Sequence, residues 1–178
     1  MATKKTSMFT LTERVTISAA GTDTFATIDL GSYVDVGDRQ ALQVHSVDYI
    51  FQGTTADQTL PVAVGADSSI DIQVTDLNRG GLVFANDRAL VSSGRLMVDF
   101  SNFSLVSESD LYPDNYGKGA DDGRYVVNDA LYITGRASAL DTTNNRELNI
   151  TVRVNASIVT LSQKDFMAIA IQSTAADN

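Results

Sequence analysis

The run Leu148 to Leu161, LNITVRVNASIVTL, limits what this chain can fold into more than any other stretch. Leu148, Ile150, Val152, Val154, Ala156, Ile158 and Thr160 fall on one side. Asn149, Thr151, Arg153, Asn155 and Ser157 fall on the other, with Val159 the one apolar residue among them. A period of two over so long a run predicts a half-buried strand and does not fit a helix, whose apolar positions recur every three or four residues. β-Branched residues supply much of the apolar side, as a pleated packed surface favours. A strand covered on one face only belongs to an antiparallel sheet more readily than to a parallel one, because parallel strands are usually buried on both faces. The chain is therefore read as all-β.

The remaining segments follow the same pattern. Phe9, Leu11, Val15 and Ile17 alternate with Thr10, Thr12, Arg14 and Thr16. Glu13 on the apolar side suggests a sheet edge or a bulge. The turn residues Ala19 to Thr24 precede Phe25 to Leu30, and a hairpin is the simplest reading. In Ala41 to Gln52 the apolar face changes parity between His45 and Ser46, which predicts a β-bulge and a bend there. Leu60 to Val64 contains Pro61 and suits an edge strand at best. Ile70, Ile72 and Val74 form another strand, and Gly80-Gly81 a tight turn. Leu82 to Ala85 reads equally as a short strand or part of a helical crossing. Arg95 to Phe103 alternates again. Val106 to Arg124 is the longest irregular region, and loops beyond about 12 to 15 residues usually carry function or disorder. Tyr125 to Ser138 resumes as a strand, with Gly135 allowing a bulge or a close backbone approach. Leu140 to Glu147 is turn chemistry expected to join that strand to the Leu148 run as a hairpin. Ser162 is placed to cap a helix beginning near Gln163, with Asp165 in its first turn. Phe166, Met167, Ile169 and Ile171 are apolar all round, which keeps a buried last strand as the alternative. The sum is seven or eight strands in two antiparallel sheets packed face to face. Residues 1–8 are expected to form a loose arm and residues 9–178 a single sandwich domain.

Composition narrows function mainly by exclusion. A formal charge of -9, from 22 acidic and 13 basic residues, argues against a surface built to hold phosphate backbones. Lys4 and Lys5 are the one adjacent basic pair and the only candidate for nucleic-acid contact. The absence of cysteine removes disulfides, zinc-thiolate sites, iron-sulfur clusters and thiol nucleophiles together. The opening residues lack the apolar run of a signal peptide, and no segment approaches the roughly 20 apolar residues that span a bilayer. A soluble protein made without a cleaved leader is expected.

Catalytic and ligand motifs are scarce. His45 is the only histidine, so a site needing two or three imidazoles is impossible, as in metal-dependent cupin enzymes. A Ser-His-Asp triad would have to use His45, yet no GxSxG elbow exists. On the polar side of a bulged strand, His45 reads as structural. No phosphate-binding glycine loop is present; Gly117-Lys118-Gly119 matches neither known pattern. Carboxylates that alternate with apolar residues on strands read as solvating charge, not as a glycosidase pair. Asp110, Asp114, Asn115, Asp121 and Asp122 offer the oxygen ligands calcium accepts, without EF-hand spacing, so a hydrated loop is the simpler reading. No catalytic residue and no cofactor is assigned.

The segments LQVHSVDYIF (Leu42 to Phe51), ALYITGRAS, LNITVRVNASIVTL and KDFMAIAI together resemble single jelly-roll coat proteins of icosahedral viruses. The resemblance covers about two thirds of the chain and rests on pattern, without a diagnostic motif. It implies an eight-stranded jelly-roll sandwich and a capsid subunit, not an enzyme. Such a subunit self-assembles through its flanks into a shell enclosing the genome, with loops at one end outward and the short amino-terminal arm turned inward or to a neighbour. The implied partners are many copies of the chain itself and other virion proteins, with weak or indirect nucleic-acid contact and no membrane. The implied location is the virion, after synthesis in a host cytoplasm. One departure stands out: many such proteins carry an arginine-rich arm, and here there is only Lys4 and Lys5. Two other readings remain. A carbohydrate-binding or adhesive module would need exposed aromatics, and Tyr112, Tyr116 and Tyr125 cluster near the long loop. A phage tail or decoration protein would share the chemistry of a coat protein and differ in symmetry.

Overall fold

A computed structural model describes residues 2–55, 58–108 and 123–174. Ten strands and two α-helices occur among them. The strands are β1 (Thr3–Lys4), β2 (Phe9–Ile17), β3 (Thr24–Asp29), β4 (Gln40–Gln52), β5 (Ser68–Thr75), β6 (Leu90–Asp99), β7 (Ser104–Glu108), β8 (Arg124–Val126), β9 (Ala130–Ala137) and β10 (Leu148–Thr160). The helices are α1 (Leu60–Val64) and α2 (Gln163–Thr174).

Every strand pairing is antiparallel, and the principal ones are nested: β2 with β10, β3 with β9, β4 with β8, and β5 with β6. The chain thus behaves as one long hairpin whose two halves pair along their whole length. It is then rolled so that β4 also pairs with β10 and β5 with β9. The result is two antiparallel sheets. In the first, β10 lies between β4 and the β1 and β2 strands, with β8 beyond β4; the second runs β3-β9-β5-β6-β7. This strand order is that of a jelly roll. Eight strands carry the roll, while β1 and β7 are short additions at sheet edges.

Nesting overturns the two hairpins that turn chemistry suggested. β2 and β3 lie in opposite sheets, as do β9 and β10, so Ala19 to Thr24 and Leu140 to Glu147 cross between sheets. The stretch after Tyr125 is not one strand but two, β8 and β9, again in different sheets. Leu60 to Val64 is helix, not edge strand. Pro61 sits in its first turn, where a missing N–H costs nothing, and Gly65 closes it at φ 69 with its N–H donating to Pro61 O at 3.0 Å. Leu82 to Ala85 is neither strand nor helix. It lies extended against β5, where Gln73 donates to Val83 O at 2.8 Å and accepts from Val83 N at 2.7 Å.

The core between the sheets holds the residues that alternation placed inward, among them Val15, Ile17, Leu42, Ile70, Ile72, Leu131, Ile133, Ile150, Val152 and Val154. Two glycines let the sheets close: a Cβ on Gly135 would lie 3.2 Å from Val15, and one on Gly94 only 2.7 Å from the Tyr49 ring. A smaller cluster forms outside the first sheet, where Ala41, Val127, Val159, Leu161 and Phe166 pack together with Ile169 and Ala170 of α2. This explains Val159: beyond Ser157 the outward face of β10 is covered by α2 and buried.

Local expectations hold where they rest on local chemistry. The β4–β10 register shifts between Asn155 and Ala156, leaving His45 as the extra residue between Val44 and Ser46. Ser162 caps α2: Asp165 N donates to Ser162 Oγ at 3.2 Å and Ser162 donates to Asp165 Oδ2 at 2.7 Å. That hydroxyl holds the Asp165 carboxyl below its ordinary range. Residues 2–6, expected to be loose, lie along the end of β10. Thr3 pairs with Thr160 and Lys4 with Val159, while Lys5 N donates to Ile158 O at 2.8 Å. Among the described residues no helix is long and apolar enough to cross a membrane.

Candidate assembly surface

Sequence and structure direct attention to the flanks. His45 is half-buried in its bulge, its Nε2 2.8 Å from the hydroxyl of fully buried Ser157. Asp110, Asp114, Asn115, Asp121 and Asp122 lie outside the described residues, as do Tyr112 and Tyr116. Tyr125 is described and packs against the small cluster under α2. Among the described residues no group of three or more histidine or acidic side chains is placed to hold a metal ion.

Two carboxylates of the second sheet's outer face, Asp71 and Asp23, are paired with arginine. Asp71 on β5 stands opposite Arg136 of β9 on one side and Arg95 of β6 on the other. Arg95 Nε donates to Asp71 at 2.5 Å, and Arg136 Nε donates at 2.6 Å to Asp23, the residue before β3. A row of alternating charge therefore crosses β9, β5 and β6 and ends at Asp23 beside β3. Each pair is partly exposed and individually weak. Its main effect is on register, since a one-residue slip would turn these charges into the core. The row is visible in the sequence only as single Asp and Arg residues within separate strands; knowing which strands neighbour each other is what assembles it.

A second ionic cluster lies deeper. Asp76, just past β5, is buried and accepts from Arg124 Nη2 at 3.1 Å; the same guanidinium donates to the Arg88 carbonyl. Burial pushes the Asp76 carboxyl above its ordinary value, with Arg124 opposing. Arg79, on the loop after β5, pairs with Asp87 on the same loop at 3.1 Å. These bonds fasten the 76–89 loop over the outer face of the second sheet, where a groove remains lined by Phe25, Thr27, Asn78, Tyr132 and Thr134.

The edge of the second sheet is different in character. Asp99 clamps the turn after β6, accepting from Asn102 N at 2.9 Å and from Asn102 Nδ2 at 2.6 Å, and these bonds hold its carboxyl below the ordinary range. Phe103 takes φ 50 and stacks at a tilt on Phe100, ring centroids 5.7 Å apart. β7 follows, with Leu105 and Val106 exposed, and Val106 stands opposite exposed Met97 on β6. Met97, Phe103, Leu105 and Val106 thus make an apolar border on an edge strand. Edges normally carry lysine, proline or bulges to prevent pairing with another chain. The described part of this edge has none of them. The sequence marked the stretch from Val106 as irregular, because five residues with one apolar pair give too little alternation to read.

Fold and surface together define a single jelly-roll sandwich with an apolar flank. No family model and no curated protein matches the chain. Among solved structures it is similar to a chain of Desmodium yellow mottle tymovirus at 11% identity, covering 88% of this chain and 90% of that one, with a TM-score of 0.32. It is also similar to a chain of Turnip yellow mosaic virus at 100 K at 12% identity, covering 90% of this chain and 99% of that one, with a TM-score of 0.29.

Proposed function

We propose that this chain is a viral coat protein, a subunit that associates with copies of itself into a closed icosahedral shell around a genome. The observation that carries the reading is the apolar border of Met97, Phe103, Leu105 and Val106 on the edge of a jelly roll. Jelly rolls serve in capsids, in lectins and in cupins, and fold alone does not choose between them. A cupin metal centre needs several histidines, and the chain has one. An exposed apolar strand edge suits association with another protein surface better than capture of a small molecule. The mechanism is burial of that flank in heterologous contacts which rotation repeats and closes. Each contact can be modest because every subunit makes several.

The groove of Phe25, Tyr132, Asn78, Thr27 and Thr134 favours a second reading, a carbohydrate-binding module, since aromatic rings beside amide and hydroxyl groups suit a sugar. Light scattering and electron microscopy of the purified protein separate the two. Particles of dozens of copies are expected. A monomer that binds immobilised glycans would replace the coat reading with the module, and a trimer would replace it with a tail or decoration protein.

A further inference from the structure

We propose that the free edge of β7 pairs, main chain to main chain, with β7 of a second copy across a two-fold axis, so that the second sheets of two subunits become one. Among the described residues β7 has a neighbouring strand on one side only. The direction of its main-chain groups follows from the bonds at the start of β5. Ser69 O accepts from Ser138 N at 2.9 Å, so Ser69 turns its N–H and C=O toward the β9 side. In an antiparallel ladder these groups point to alternate sides along a strand, and opposite residues alternate between bonded and unbonded pairs. Met97, opposite Ser69, is therefore unbonded toward β5 and turns its own groups to Val106 of β7. Val106 is thus bonded inward, and its neighbours Leu105 and Ser107 point their N–H and C=O to the free side. The turn before β7 agrees. Phe100 N donates to Asp67 at 2.9 Å instead of to the Phe103 carbonyl, so the bonded pair closing this hairpin is Asp99 with Ser104, in phase with Met97 and Val106.

This edge is complementary to itself. A two-fold axis through Val106 lays the two strands antiparallel with Leu105 of each copy opposite Ser107 of the other, so the outward groups of both residues close bonded pairs. Val106 then faces Val106 of the second copy in an unbonded pair, the kind whose side chains lie closest. Met97 stands behind each valine on the outer face, and both residues are exposed in the single subunit. Pairing therefore makes one unbroken apolar strip of two methionines and two valines. A contact through side chains alone would leave the outward groups of Leu105 and Ser107 unused. A second β7 answers those groups and covers the apolar residues in one register. The proposal rests on the coat reading and names one of its contacts: the pairing at β7 is isologous, and closure of the shell falls to heterologous contacts elsewhere on the flank.

The chain contains no cysteine, so one introduced thiol reports the contact. In an unbonded pair the Cα atoms lie about 4.5 Å apart, within disulfide reach. Val106→Cys in the full chain, oxidised mildly and run without reductant, should give mostly a band at twice the subunit mass and nothing larger. Leu105→Cys should not, because in this register the two copies of residue 105 are displaced by two positions along the strand. Amide exchange supplies a second readout. From dilute subunits to assembled protein, the Leu105 and Ser107 amides should gain about tenfold protection or more, while that of Val106, already bonded to β6, gains little. Equal cross-linking of the two variants, cross-linking of Leu105→Cys alone, or particles in which Val106→Cys stays uncoupled would overturn the edge pairing and leave the coat reading standing. A parent chain that forms the two-fold pair and no larger particle would overturn the coat reading and keep the edge pairing.

Discussion

Between the two sheets the side chain of Tyr49 lies across Gly94, and its hydroxyl donates to Ser92 at 2.6 Å. A methyl group at Gly94 would stand 2.7 Å from Cδ2 and 3.0 Å from Cε2 of that ring, closer than carbon atoms tolerate. The ring cannot retreat without giving up its bond to Ser92. Gly94→Ala should therefore destabilise the fold by about 1–3 kcal/mol, read as a lower urea midpoint at unchanged slope. Gly135→Ala, whose Cβ would meet Val15 at 3.2 Å and Ile17 at 3.4 Å, should cost less. The sequence marked Gly135 because it interrupts a clear apolar run. Gly94 carries no such sign, since its need comes from a tyrosine in the other sheet.

Elements divide in the same way between local and distant causes. The cap of α2 was legible because Ser162 and Asp165 stand three residues apart and bond each other. The bulge at His45 was legible because a shift of parity is written within one strand. The crossings after β2 and β9 were not, because Gly, Asp and Asn report that a chain turns and not which strand it joins. Val159 looked out of place on a polar face until α2 was seen to cover it. This last arrangement makes α2 a test of the whole end of the sheet. Ser162→Ala removes one cap, worth about 1 kcal/mol, and α2 shields Ala41, Val159 and Leu161. Amides of α2 should lose protection while those of Ile150 and Val152 keep theirs. A uniform loss across the sandwich would mean instead that α2 and the main core unfold as one unit.

At the scale of the molecule, the apolar border on β7 is the feature a solitary sandwich would be expected to avoid. Val106 is 54% exposed on an edge strand, opposite exposed Met97 and next to exposed Leu105 and Phe103. Lysine at such a position is the substitution that natural edges use to refuse a partner. Because the side chain already faces solvent, Val106→Lys should change stability by no more than about 0.5 kcal/mol. If the border is a contact between copies, the same change should shift sedimentation from particles toward single subunits, with circular dichroism and unfolding midpoint intact. Phe84→Lys supplies the control, since Phe84 is the more exposed residue at 87% and lies on the loop fastened over the sheet face, not on β7. Particles that survive Phe84→Lys and fail with Val106→Lys locate a contact on β7. Loss in both would point to lowered general stickiness, and loss in neither would remove the β7 edge from the assembly surface.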